Sequence, residues 1–161
     1  GQAEQMFGKE PDYLFHATGS GGTMAGLLAG RALKGAKVPV ISINVSMKDD
    51  GYPKRCAALA NESLKVLGIE PMVEQERDVR TDLNYYHPGY EIPSESASKA
   101  IRLLAETEGL FVDPVYTGKT FAGMLDYIRT GKVEPGSNVV FLHTGGATAL
   151  FAEKEILGKL F

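Results

Sequence analysis

The chain has 161 residues, 43% of them hydrophobic and 23% charged, which is enough for one real core and cramped for two. A net charge of -3 with no long block of like charges points away from a nucleic-acid surface or a polybasic membrane patch. The apolar runs fall far short of the roughly 18 residues that span a bilayer. Cys56 is the single cysteine; it excludes an intrachain disulfide and CxxC metal sites, and it favours a reducing, cytoplasmic setting.

No charged-then-apolar leader opens the chain, which begins on Gly1 and the polar helix formers Gln2 to Gln5, as if joined in mid-protein. Tyr13–Ala17 predicts a buried strand ended by glycines. Met24, Leu27, Leu28 and Ala32 then follow helical spacing over Thr23–Leu33. Val38–Val45 is β-branched and predicts a second strand, with Pro39 tolerated near its start. Tyr52–Leu67 predicts a helix with Cys56, Leu59, Ala60, Leu64 and Leu67 on its inner stripe and Gly68 as its stop. The polar stretch from Glu74 to Pro93 is long for a loop and predicts a functional or partner-facing excursion. Ser94 is a good N-cap for a helix that buries Ala97, Ala100, Ile101 and Leu104 and ends at Gly109. Leu110–Val112 predicts a short strand, Lys119–Arg129 a helix, and Val139–Leu142 a last buried strand. Strand and helix alternate throughout, so the expected fold is α/β, an open, mostly parallel sheet with helices on both faces.

Thr18-Gly19-Ser20-Gly21-Gly22-Thr23 lies between a strand and a helix, where open α/β sheets hold ligands. Its glycines let the backbone approach a phosphate and aim successive N–H groups at it, and the helix N-terminus adds partial positive charge. No Gly-Lys-Ser/Thr ends the loop, so it is not a Walker A motif, and a GxGxxG frame begun at Gly19 puts Met24 at the third glycine. The chemistry is that of a phosphate cradle whose ligand is open, and a tight turn without a ligand is the plain alternative.

Two further loops end strand-like segments. In Asp113-Pro114-Val115-Tyr116-Thr117-Gly118-Lys119, proline and glycine fix a turn that presents Tyr116 and Thr117, and a tyrosine there can stack on a flat ring or exchange a proton. Lys119 offers an amine for covalent chemistry, but its place at a helix start predicts a solvated side chain. In His143-Thr144-Gly145-Gly146, Thr144 can hydrogen-bond a ring nitrogen, and the alternative is an ordinary turn. His16, His87 and His143 are not spaced as metal ligands, and no Ser/His/Asp triad pattern is present.

Together these three motifs, in this order and spacing, resemble the D-cysteine desulfhydrase and 1-aminocyclopropane-1-carboxylate deaminase group of fold type II pyridoxal-phosphate enzymes. The similarity runs over nearly the whole chain and includes Pro88-Gly89-Tyr90 and Glu108-Gly109. The resemblance implies that Gly19, Ser20, Gly21, Gly22 and Thr23 bind the phosphate of pyridoxal 5'-phosphate, that Thr144 meets its pyridine nitrogen, and that Thr117 belongs to the same cofactor-binding set. Tyr116 and Tyr90 would face the ring or the substrate as catalytic residues, although Glu91 departs from the glycine that often follows that tyrosine. The substrates implied are small amino acids, cleaved by α,β-elimination or ring opening to ammonia and a 2-oxo acid. Deaminases of the group tend to carry Glu at the position of Thr117 and Leu at that of Thr144, so the two threonines resemble the desulfhydrase side, with hydrogen sulfide as the further product.

In this family the cofactor-binding lysine and a carboxylate-gripping Ser-Asn come from an N-terminal portion of about equal length, which nothing in this chain matches. The chain is therefore expected to be a fragment, inactive alone, whose parent is implied to be a homodimer. The competing expectations are a 1-aminocyclopropane-1-carboxylate deaminase, a non-catalytic module for a phosphorylated ligand, and a structural domain that self-associates.

Overall fold

The computed structural model describes residues 1–152. In chain order the elements are α1 (Gln2–Phe7), β1 (Tyr13–Thr18), α2 (Gly22–Lys34), β2 (Val40–Asn44), α3 (Tyr52–Val66), α4 (Gln75–Asp78), β3 (Arg80–Asp82), α5 (Glu95–Glu108), α6 (Thr117–Arg129), β4 (Val139–Phe141) and α7 (Ala147–Ala152). The four strands form one sheet in the order β3-β2-β1-β4, and every pairing is parallel. The expected open α/β architecture is what the chain adopts.

Period-two alternation along β1 and β2 divides the core into two layers. Phe15, Ile41 and Ile43 face one side, where they meet Ala100, Ile101 and Leu104 of α5 and Phe121, Ala122 and Met124 of α6. Leu14 and Val40 face the other, against Met24, Leu28 and Ala29 of α2 and Cys56, Ala60 and Leu64 of α3. Helices thus cover both faces, and for that reason the two inner strands are buried along most of their length rather than on one face only. On the α2/α3 side a short polar strip interrupts the core: His16 Nε2 lies 2.6 Å from Ser42 Oγ, and its Nδ1 lies 2.8 Å from the Ala17 carbonyl. Burial holds the His16 imidazole well below its ordinary range, at about 4.

β1 also ties the two ends of the chain together. The Asn138 carbonyl accepts from the amides of Asp12 and Tyr13, and Asp12 Oδ2 accepts from the Asn138 amide at 2.7 Å, across a separation of 126 residues.

Several sequence expectations are corrected. Leu110–Val112 is not a strand: β4 occupies the flank of β1, and the segment runs without a ladder partner, leaving Leu110 and Phe111 exposed while Val112 alone is buried. The polar stretch that predicts an excursion instead contains α4 and the edge strand β3, whose Arg80-Thr81-Asp82 has no apolar pattern to betray it. Leu59 of α3 and Leu67 at its C-cap point to solvent at 44% and 65% exposure, so the inner stripe is Cys56, Ala57, Ala60 and Leu64.

Candidate functional site

The C-terminal ends of β1, β2 and β4 open on one edge of the sheet, at the point where strand order turns back on itself. There a cleft of about 670 Å³ is walled by Gly19 to Thr23 after β1, by Ser46 and Lys48 after β2, by Thr144 to Gly146 after β4, and by Tyr90 and Tyr116. Of the sequence candidates, Gly19, Ser20, Gly21, Gly22, Thr23, Thr144, Tyr90 and Tyr116 are brought together on this wall.

The first loop is built to receive an anion. Gly21 is the N-cap of α2, and no side chain caps it. The first backbone bond of the helix runs from Ala25 N to Gly21 O, so the amides of Gly22, Thr23 and Met24 have no intrahelical acceptor. Gly21 has φ of 99°, and a Cβ there would come within 2.8 Å of Cys56 Sγ, so the loop lies too close to α3 for any side chain. Tyr52 of α3 anchors it from below: its hydroxyl donates to the Gly19 carbonyl at 3.0 Å and accepts from Thr18 Oγ1 at 2.8 Å. Burial pushes the Tyr52 hydroxyl up to about 12, so it stays a donor across the physiological range.

The second loop is organised by Asp113, a residue that sequence reasoning placed in the motif but gave no role. It is 1% exposed. Its Oδ2 accepts from the amides of Val115 and Tyr116 at 2.8 and 2.7 Å, and its Oδ1 from the amide and hydroxyl of Thr117 at 2.7 and 2.5 Å. The same carboxylate packs against the third loop, since a Cβ on Gly146 would meet the Asp113 side chain at 3.1 Å. Asp113 therefore fixes Tyr116 and the Gly145-Gly146 turn relative to one another. The signal available in sequence was an Asp two to four residues before the first amides of a helix, the spacing of a side-chain cap.

Thr117, expected to bind cofactor, is fully buried and does not line the cleft; its hydroxyl donates to Asp113 Oδ1 and accepts from the Asp113 amide. Lys119, expected to be solvated, is also fully buried. Its Nζ donates to the carbonyls of Tyr86 and Gly89 at 2.9 and 2.6 Å, and burial lowers its basicity. It braces the loop that carries Tyr90. The Tyr90 and Tyr116 hydroxyls are hydrogen-bonded, with ring centroids 6.0 Å apart and planes at 77°. That bond and partial burial push Tyr116 up to about 12, which keeps its phenol protonated near neutrality. At the end of β4, His143 Nδ1 accepts from the Gly145 amide, so Nε2 carries the proton and donates to the Phe111 carbonyl at 2.8 Å. This clasp holds the Thr144 turn against the segment leading to Asp113.

Among the described residues no group of three His, Cys, Asp or Glu side chains could hold a metal ion, and no helix is long and apolar enough to cross a membrane.

A family model described as pyridoxal-phosphate dependent enzyme matches residues 2–145. The chain belongs to that family. Among the relatives of this pyridoxal-phosphate enzyme chain is the 1-aminocyclopropane-1-carboxylate deaminase of Burkholderia cenocepacia, 39% identical over 149 residues, or 92% of this chain and 44% of the relative. A probable deaminase of the same name from Schizosaccharomyces pombe is 35% identical over 151 residues, 94% of this chain and 44% of the relative. A crystal structure of a homologue of that deaminase superposes with a TM-score of 0.79 at 31% identity, covering 94% of this chain and 44% of that one. The chain thus spans less than half the length of the curated relatives it matches.

The residues of the cleft fit the family's cofactor. Free amides at an uncapped helix N-terminus, with the Ser20 and Thr23 hydroxyls beside them, suit a phosphate. Tyr116 offers an aromatic ring to a flat heterocycle, and Thr144 offers a hydroxyl that can either donate or accept.

Proposed function

We propose that this chain is the phosphate-holding and ring-holding part of a pyridoxal-phosphate enzyme that releases ammonia and a 2-oxo acid from a small amino acid. The observation that carries the reading is the convergence of three strand-end loops on one cleft, with an uncapped helix end on one wall and paired tyrosines on another. When bound, pyridoxal phosphate supplies an electron sink for the carbon that bears the amino group. The chain's own residues do the rest of the work assigned here. Backbone amides of Gly22 and Thr23 bind and orient the phosphate. The Thr144 hydroxyl orients the ring through its nitrogen. The Tyr116 phenol, kept protonated by Tyr90 and burial, holds a proton at its oxygen for delivery at the reacting end of the substrate. The covalent lysine comes from the remainder of the parent protein, so the chain alone is inert.

The names of the relatives favour 1-aminocyclopropane-1-carboxylate as substrate, with ring opening as the chemistry. A second reading, α,β-elimination from D-cysteine, is supported by Thr144 on the cleft wall. A neutral hydroxyl does not hold a proton on the ring nitrogen as a carboxylate would. Loss of a thiolate tolerates that weaker pull better than opening a carbon ring does.

The test is the full-length parent assayed on both substrates for ammonia, 2-oxo acid and hydrogen sulfide, beside the 161-residue chain alone. The parent is expected to turn over at least one of them, and the chain to do no better than free pyridoxal phosphate. Turnover of neither by a parent that holds the cofactor would overturn the substrate class, and sulfide release as the faster reaction would establish the second reading.

A further inference from the structure

One feature of the cleft wall lies outside the three motifs. Lys48 follows β2 and is the sole charged side chain among the described residues that line the cleft. Among the described residues no carboxylate forms an ion pair with it: its neighbour Asp49 is engaged by Arg55, whose two terminal nitrogens lie 2.9 and 2.8 Å from the two carboxylate oxygens. Yet the ammonium is held in place. It donates to Ser46 Oγ at 2.6 Å and sits 5.0 Å from the centre of the Tyr52 ring. Tyr52 is the same residue whose hydroxyl holds the Gly19 carbonyl and Thr18. One aromatic ring therefore positions both the amide loop and the cation facing it.

The charge balance gives this arrangement its meaning. A helix N-terminus contributes about half a unit of positive charge, whereas a phosphate monoester near neutrality carries nearly two negative charges. The amides of α2 alone leave most of that charge uncompensated. Partial burial already costs the Lys48 ammonium some of its hydration, as the lowering of its basicity by desolvation indicates. An anion in the cleft would offset that cost further, because the Ser46 hydroxyl and the Tyr52 ring that now hold the ammonium carry no net charge.

Resting on the cofactor reading above, we infer that Lys48 pairs its ammonium with the cofactor phosphate and so sets the preference for the phosphorylated over the unphosphorylated form. Ser46 and Tyr52 then act as positioning residues for Lys48 rather than as ligands themselves.

The experiment uses the full-length parent, stripped of cofactor, with pyridoxal phosphate, pyridoxal and inorganic phosphate as probes, and equilibrium dialysis or fluorescence titration as the readout. Lys48→Met is expected to weaken pyridoxal phosphate binding by about tenfold, the size of one charge-assisted hydrogen bond at a half-open site. Pyridoxal affinity should be unchanged, inorganic phosphate should compete less well, and Lys48→Arg should recover most of the loss. Equal affinity of Lys48→Met and the unmodified protein for pyridoxal phosphate would overturn the assignment. So would a parallel loss for pyridoxal, because a variant that merely disturbs the fold weakens both ligands alike. Failure of the unmodified parent to bind pyridoxal phosphate at all would sink the cofactor reading itself, and Lys48 with it.

Discussion

Replacing Asp113 with asparagine tests whether one buried carboxylate organises the site. Its two oxygens accept four hydrogen bonds, from the amides of Val115, Tyr116 and Thr117 and from the Thr117 hydroxyl. An amide side chain has one acceptor oxygen, so either way round its NH2 must face at least one backbone N–H. The better orientation keeps the oxygen toward Val115 and Tyr116, strands the Thr117 amide, and lets the Thr117 hydroxyl turn round to accept. Three bonds lose their charge assistance at about 1 kcal/mol each and one buried amide is stranded at about 2 kcal/mol, together about 5 kcal/mol. For a chain of this size that corresponds to a fall in melting temperature of roughly 10 to 20 °C. Urea denaturation followed by far-ultraviolet circular dichroism measures the loss, and amide resonances of residues 115–117 locate it. A loss under about 1 kcal/mol would mean that the carboxylate is replaceable and that the two loops are aligned by something else.

Four other outcomes are expected. Gly118→Ala places a Cβ 2.6 Å from the Asp113 carbonyl and 2.9 Å from Ile101, so it should cost about 3 kcal/mol; Gly26→Ala, with nothing within 4 Å, should stabilise by about 0.5–1 kcal/mol, and thermal melts of the pair check both. Lys119 should remain unlabelled when the full-length parent is reduced with borohydride in the presence of pyridoxal phosphate, because its Nζ is committed to two carbonyls away from the cleft; a cofactor adduct mapped to Lys119 by mass spectrometry would contradict this. His16 is neutral when folded down to about pH 4, whereas an unfolded histidine takes up its proton near 6.5. Its contribution is therefore complete above pH 6.5 and lost as pH falls through 4, amounting to about 3 kcal/mol; a His16 resonance that titrates near 6.5 in the folded chain would disprove it.

Much of the fold was legible because three of its strands are rich in apolar residues. Tyr13–Ala17 and Val139–Leu142 match β1 and β4 to within a residue, and Val38–Val45 brackets β2. The errors share a physical cause. Leu110–Val112 has strand composition, but composition cannot say whether an adjacent strand is free to pair. Arg80–Asp82 has no such composition, yet the flank of β2 supplies a partner. At the site, the glycine loop and the tyrosines stand out by residue type, and at Gly21 the geometry admits nothing but glycine. Thr117, Lys119 and Asp113 are different: each is a polar side chain whose role depends on which backbone groups tertiary structure buries beside it. The burial of Lys119 in particular is invisible to helix position alone, since it is set by the loop at Tyr86 and Gly89 that folds over it from 30 or more positions away.

The clasp between Asp12 and Asn138 has a consequence for the order in which the molecule matures. The two halves of that bond are 126 residues apart, so during synthesis at ~5–20 residues per second the first waits roughly 6 to 25 s for the second. Until then β1 has a neighbour on one side only, and the turn bearing Thr144 has no strand to carry it. The amide loop at Gly21 can form with α2 and α3 long before. Pairing across so large a separation is the slow, entropically costly step in assembling such a sheet. The amide-loop side of the cleft is thus in place early and the Thr144 side last, so that a newly made chain has the whole cleft only when the last strand has docked.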